Sequence, residues 1–557
     1  MQPRRLFVFL VLLLTLLPSC TSSASGTAAV SFWTPTPTPF QPMPDTPTPT
    51  ANPNALWISP AVPSALRQAA YGSGLSLADS SDIAAFRLDV LNPQSSISNL
   101  QSSIWIYALV APFPTITDGV TADELRRAWA GEASVDTFVG VPFLMSESTL
   151  AAFTAKWGAP GSASALIVLE DQLLDTAWAE RPSWAIVPFE ALEPRWKVLT
   201  IDGQSPIRKE FDPASYPLVV TFGLQCTDPC SPSPFPSFPS TNRNQSKLTV
   251  LLMTGVTALV RATAWKMEIE GVTYPGRDMR DILRAADILH ISNEIPFAPD
   301  CTYPNPNQGR LVFCSDPKYI ALLEDVGADV IELTGNHFQD WGSKATLYTL
   351  EMYRQRGWPY YGGGTDLADS REPAIIEHNG NKLAFIGCNP SGPSFAWATD
   401  YQPGAAPCDD YAWMTAEIAR LRAEGYLPIA TFQYYEYYTP EPRPGQVKDF
   451  RLMADSGAVI VSGSQAHNAQ AMEFYGGAFI HYGLGNLFFD QMYYTMPNGV
   501  VITDTRREFL DRHVFYDGRY ISTELITAML EDYSRPRPMT AAERADFLRF
   551  IFSASGW

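Results

Sequence analysis

The sequence predicts an α/β protein in two parts: a smaller mixed α/β domain, then a larger one of regular strand–helix alternation. Three observations predict it. From Leu248 to Tyr482, short apolar runs alternate with segments whose apolar residues recur at i, i+3, i+4 and i+7. The runs are largely apolar on both faces, as in strands covered on both sides. Finally, 557 residues are too many for one core, and the Pro- and Ser-rich stretch SPSPFPSFPSTNRNQ divides the chain.

Arg4 and Arg5 precede an apolar run, Leu6 to Leu17, that is too short to span a bilayer and reads as a secretory signal. It ends in Leu-Pro-Ser-Cys, similar to a bacterial lipobox, which makes Cys20 the candidate lipidation site within a signal peptide of residues 1–20. Residues 21–54 carry TPTPTPF and TPTPTANP; proline fixes φ and removes donors, so they read as an extended tether. The expected location is extracytoplasmic, with the membrane reached through the lipid anchor. A formal net charge of -19 argues against nucleic acid as a partner. It leaves room for an anionic envelope polymer, because exposed charges are screened beyond about 8–10 Å in physiological salt. Setting aside Cys20, six of the seven cysteines remain, and their local spacing suggests pairs Cys226–Cys230, Cys301–Cys314 and Cys388–Cys408.

Residues 55–225 form the first predicted domain. Ile104 to Val110 and Ala165 to Leu169 read as strands, and Thr121 to Ala130 as a helix with a capping residue and an acidic first turn. The run from APFPTITDGVTADELRRAWAG to SWAIVPFEAL is similar to type 2 periplasmic solute-binding lobes. A linker, 226–246, follows.

The second domain, 247–557, opens with the strand Leu248 to Met253. Asp278 is read as opening a helix with Met279, Ile282, Leu283 and Ala286 on one face. The strand Ile288 to Ile291 ends in Ser-Asn-Glu294. A helical stripe through Tyr319, Leu322, Leu323 and Val326 stops at Gly327. Val330 to Leu333 then ends in Thr-Gly-Asn336-His337. The helix Lys344 to Arg356 precedes Gly362-Gly363-Gly364. Leu383 to Gly387, Leu427 to Phe432, Val459 to Ser462 and Ala478 to Tyr482 read as further strands, separated by helices Trp413 to Glu424 and Gln446 to Ser456. His290 and His481 fall inside strands and read as packed residues, while His378-Asn379-Gly380 reads as a hairpin turn.

Ligands in α/β sheets bind beyond the carboxyl ends of strands. Glu294, Asn336, His337, Glu436 and His467 all fall there. Carboxylate, imidazole and amide oxygen together suit a divalent metal such as Mn, Zn or Fe.

The order of motifs, above all TGNHFQDWG (Thr334 to Gly342) and HYGLGNLFFD (His481 to Asp490), resembles the CapA capsule-synthesis (poly-γ-glutamate) family over residues 248–490. The resemblance implies a four-layer αββα metallophosphatase-like fold. Carried over by position it implies Glu294, Asn336, His337, Asp340 and His467; with the strand-end reading, the candidate catalytic set is His337, Asn336 and Asp340, the candidate metal set is Glu294, Asn336, His467 and Glu436, and Gln433 and Gln465 are candidate substrate contacts. The chain departs from the family pattern at Val256, where the family has Asp, and at Gln433 and Gln465, where it has His; Ser292 stands where Asn is usual. Two readings stay open: a capsule or poly-γ-glutamate synthesis protein acting as a metal-dependent hydrolase or transferase with a partly degenerate site, or a non-catalytic surface lipoprotein that binds the polymer or assists its export.

Overall fold

The computed structural model describes residues 52–91, 98–132, 138, 140–226 and 238–557. The predicted signal segment with Cys20, nearly all of the Thr/Pro-rich tether, and Cys230 lie outside them. Residues 51–557 form one compact unit.

Its first part is a sheet in which Val219–Cys226 pairs antiparallel with both Ala84–Val90 and Ser98–Pro112. These long strands join two parallel groups, Ser76–Leu77 with Asn52–Ile58 and Ala84–Val90 on one side, and Trp184–Pro188 with Phe143–Met145 and Ala165–Ile167 on the other. The predicted Thr121 helix runs Ala122–Trp129. Its start is a capping box in which the Thr121 hydroxyl accepts from Glu124 N–H and the Glu124 carboxylate accepts from Thr121 N–H. Residues at the end of the Pro/Ser-rich stretch are held firmly. The Asn242 side chain exchanges hydrogen bonds with the backbone of Ile106 and donates to Glu190, and Arg243 is buried.

The second part stacks two sheets. One runs in the order Tyr360–Tyr361, Val330–Glu332, Ile288–Asn293, Leu248–Thr254, Arg507–Tyr516, Arg519–Glu531, Arg535–Pro538; its first four strands are parallel and the rest antiparallel. The other runs Ala374–His378, Asn381–Cys388, Leu427–Gln433, Ile460–Ser464, Ala478–His481, Met472–Tyr475. Side chains alternate across each strand, so a fully apolar run feeds two cores. Leu251 and Met253 meet Leu383, Phe385, Ile429 and Ile460 between the sheets. Leu252, Leu289 and Ile331 face the opposite way onto Leu283, Leu322, Leu323 and Leu350 of the helices. Ile386, Ala430 and Val461 face Ile418, Phe450 and Met453 beyond the second sheet. The layers are therefore αββα, and the expected α/β class holds for both parts.

The helix expected to open at Asp278 is shorter, Arg280–Arg284, because the Asp278 carboxylate takes the Arg535 guanidinium instead of capping backbone amides. Gly327 ends its helix at φ 83°, in the left-handed region. His378 lies at the predicted hairpin, with Asn379 and Gly380 at φ 49° and 79°. Disulfides Cys301–Cys314 and Cys388–Cys408 are formed, and Cys226 is also disulfide-bonded.

Leu248 and Val250, near the start of the first strand of the sandwich, join the core of the first part together with Val514 and Ile521. The first part thus packs near the amino ends of the parallel strands. The carboxyl ends are left to a different task. Among the described residues no helix is long and apolar enough to cross a membrane.

Candidate functional site

At the carboxyl ends of the parallel strands, residues far apart in sequence meet. Glu294 and Gln433 are both buried, and the Gln433 amide nitrogen donates to Glu294 Oε1 at 2.9 Å. The same nitrogen lies 3.4 Å from Asn336 Oδ1, and the Gln433 carbonyl oxygen accepts from the Ser464 hydroxyl at 2.7 Å. Close backbone approach makes this convergence feasible. A Cβ on Gly335 would sit 2.8 Å from Glu294 Cα, and one on Gly255 would sit 2.3 Å from the Gly485 carbonyl oxygen, so both positions require glycine. Asn389 holds the Asn336 loop by donating to the Thr334 carbonyl at 2.8 Å.

His337 follows Asn336 and is fixed from behind. Its Nδ1 bonds Asp340 Oδ2 at 2.7 Å, and that oxygen also accepts from Phe313 N–H at 2.9 Å. The imidazole side chain is 21% exposed while the Asp340 side chain is 1% exposed, so Asp340 orients the ring and His337 faces outward. Burial lowers the His337 pKa, but the Asp340 bond and the charges of Glu294 and Asp340 outweigh it, and the net shift is upward.

A chain of ring contacts reaches the last motif. Phe313 packs edge-on against His337 at 4.9 Å between centroids, and Arg261 lies over both Phe313 and Phe489. Phe489 stacks on His467 at 4.6 Å, and His467 Nδ1 bonds Asn486 Oδ1 at 2.8 Å. Arg261 is anchored by Asp490, whose other oxygen accepts from Ala262 N–H at 3.0 Å. Arg261, Gln465 and His467 have φ of 44°, 77° and 49°, a strained conformation for residues with a Cβ that gathers at functional sites.

Residues 250–491 match the family model described as bacterial capsule synthesis protein PGA_cap. The match covers less than half of the chain. Among known proteins, the capsule biosynthesis protein CapA of Bacillus anthracis is 24% identical over 309 residues, 55% of this chain and 72% of that one. The PGA biosynthesis protein CapA of Bacillus subtilis (strain 168) is 26% identical over 212 residues, 38% of this chain and 55% of that one, so the match spans about half of that relative's length. Among solved structures, a putative 5'-nucleotidase from Staphylococcus aureus aligns with 54% of this chain and 58% of its own at 12% identity and a TM-score of 0.33. An ABC-type phosphate transport receptor from Vibrio cholerae aligns with 32% of this chain and 88% of its own at 11% identity and a TM-score of 0.26. The fold described here stands on strand order, not on these partial likenesses.

Within the PGA_cap segment, the structure brings together Glu294, Asn336 and Gln433, places His337 with Asp340, and joins them to His467 through the aromatic chain. Glu436 stands apart. It is exposed, and its carboxylate accepts from the Tyr438 hydroxyl. Val256 is fully buried; its backbone bridges to Asn486 and its N–H donates to the Gly485 carbonyl at 3.1 Å.

The assembled donor set offers one carboxylate, Glu294, and the Gln433 N–H group occupies one of its oxygens. Turning the amide over would set its oxygen against the carboxylate and separate Ser464 from its acceptor. Among the described residues, no three His, Cys, Asp or Glu side chains lie close enough to hold a metal ion. Several buried polar atoms flanking the site have no partner: Thr257 Oγ1, Asn293 Oδ1, Gln465 Oε1, Asn468 Oδ1 and Arg261 Nε. Sequence reasoning missed Arg261, Asn486, Ser464 and Phe313. Asp490 and Asn486 sit inside the HYGLGNLFFD motif, the one signal that pointed towards them.

Proposed function

We propose that this protein is a capsule-synthesis protein of the cell envelope that binds an anionic polymer, poly-γ-glutamate or an acidic polysaccharide, at the strand-end site without metal-dependent turnover. In this reading the chain is exported and tethered through Cys20, and the folded unit holds the polymer or hands it on. The observation that carries it is the Gln433 amide donating to Glu294 beside Asn336. A dinuclear centre needs bridging carboxylates to offset its charge; here Val256 and the Gln433–Glu294 pair stand in that place. What remains suits binding. Arg261, paired with Asp490, and a His337 with raised proton affinity are the cationic groups there.

Biolayer interferometry on full-length protein tests this, with immobilised poly-γ-glutamate against neutral dextran. Binding to the polyanion alone, weakened about tenfold by Arg261→Gln, is expected, since a charge-assisted hydrogen bond is worth about 1.5–3 kcal/mol. Hydrolysis of the polymer or of a phosphodiester, abolished by His337→Ala, would refute it.

A further inference from the structure

A second site lies far from the first, in a cavity of about 540 Å³ between the two parts of the unit. Its size is that of a small-molecule pocket. Asp118 and Lys197 come from the first part, and Arg544 from the last helix, Ala541–Ala554. Lys197 Nζ is 2.7 Å from Asp118, which also accepts from Arg544 at 2.7 and 2.8 Å. On the opposing wall, Glu524 receives Arg512 at 2.6 Å and Arg208 at 3.2 Å.

The charge count decides what this cavity takes. Each of the two carboxylates is shared by one cation from its own part and one from the other. Four cations therefore face two anions, leaving two positive charges; Glu210, exposed among the lining residues, offsets at most one. The surplus is notable in a chain whose net charge is -19. The guanidinium groups of Arg512 and Arg544 are mostly shielded, their side chains 12% and 18% exposed, so screening by salt is weak. Phe113, Leu548 and Phe552 add an apolar surface.

We propose that this cavity binds a small organic dianion, a dicarboxylate with a short apolar body, and so clamps the two parts of the protein together. The ligand's carboxylates meet Arg208 and Arg512, since the Arg544 fork already holds Asp118 and the Leu525 carbonyl, and its methylene groups lie on the aromatic and aliphatic wall. Lys197 supplies an independent readout. Burial lowers its pKa to about 8, with Arg544 lowering it and Asp118 and Glu524 raising it. An added anion favours the ammonium form, so binding takes up protons near pH 8. The proposal is independent of the polymer-binding reading and fails separately from it.

The test is isothermal titration of full-length protein with glutarate, its neutral isostere glutaramide, and inorganic phosphate, in two buffers of different ionisation enthalpy at pH 8. Expected are glutarate binding with proton uptake, no binding of glutaramide, and phosphate at least tenfold weaker than glutarate. Arg208→Gln weakens glutarate about tenfold, and Glu210→Gln does not weaken it. Absence of glutarate binding at millimolar concentration, equal binding of glutaramide, tighter binding of phosphate, or indifference to Arg208→Gln overturns the proposal. Should Arg208→Gln fail to fold, the comparison of glutarate with glutaramide on the unmodified protein decides.

Discussion

Replacing Gln433 with leucine isolates the interaction on which the site depends. The two side chains are similar in volume, so the change removes hydrogen bonds without opening a large cavity. Gln433 is fully buried and donates to the buried Glu294 carboxylate at 2.9 Å. A hydrogen bond to a charged group contributes about 1.5–3 kcal/mol, and stripping the donor from a buried carboxylate adds its desolvation penalty. The Ser464 hydroxyl loses the Gln433 oxygen at 2.7 Å but keeps the Phe432 carbonyl at 3.2 Å, so its share is small. The sum is a loss of about 3–4 kcal/mol at neutral pH. Replacing Glu294 with leucine as well removes the charge that was left unpaired, so the double variant recovers about 2 kcal/mol relative to additivity. Urea denaturation followed by tryptophan fluorescence measures both quantities. A loss below about 1 kcal/mol for Gln433→Leu, or additive single effects, would refute the pairing; a Glu294 carboxylate held by a cation instead of an amide would give that result.

Acid weakens the fold through His513, whose buried imidazole has its pKa lowered to about 4 from 6.5, chiefly by desolvation, with Asp511 raising it and His481 and His290 lowering it further. The unfolded chain takes up the proton first, so stability present above pH 6.5 falls as pH drops towards 4, by about 3 kcal/mol, and urea midpoints across that window check it. Asp340→Asn removes the partner that raises the His337 pKa, so the ¹³C-histidine NMR titration of His337 shifts to lower pH; an unchanged midpoint contradicts the assigned bond. Cys301→Ser/Cys314→Ser opens a loop of sequence separation 13, costs about 3 kcal/mol, and broadens the His337 resonance because Phe313 N–H anchors Asp340.

Much of this was legible from residue order. Apolar strands and helical stripes located the sandwich, and the rule that ligands sit beyond strand ends singled out Glu294, Asn336, His337, Glu436 and His467, while Gln433 entered as a departure from the family pattern. Other features depend on distances that no local pattern encodes. Gln433 and Glu294 look like separate strand-end residues until the sheets stack, and only then does the glutamine become the carboxylate's donor. Glu436 lies three residues past Gln433, where the chain has left the strand and turned to solvent. Arg261 was invisible because a positive φ at the start of a helix has no composition signal, and Asp278 looked like a cap until Arg535, 257 residues later, claimed it. The cavity between the two parts draws its charges from seven positions spread over residues 118–544, each of which reads alone as ordinary surface charge.

Metal content measured by inductively coupled plasma mass spectrometry, after full-length protein is incubated with Mn²⁺, Zn²⁺ and Fe²⁺ and desalted, bears most directly on the strand-end site. An amide-paired Glu294, with no three His, Cys, Asp or Glu side chains gathered among the described residues, predicts less than about one tenth of an equivalent per chain. One or two tightly held equivalents, lost in Glu294→Gln, would contradict it and return the site to metal-dependent chemistry.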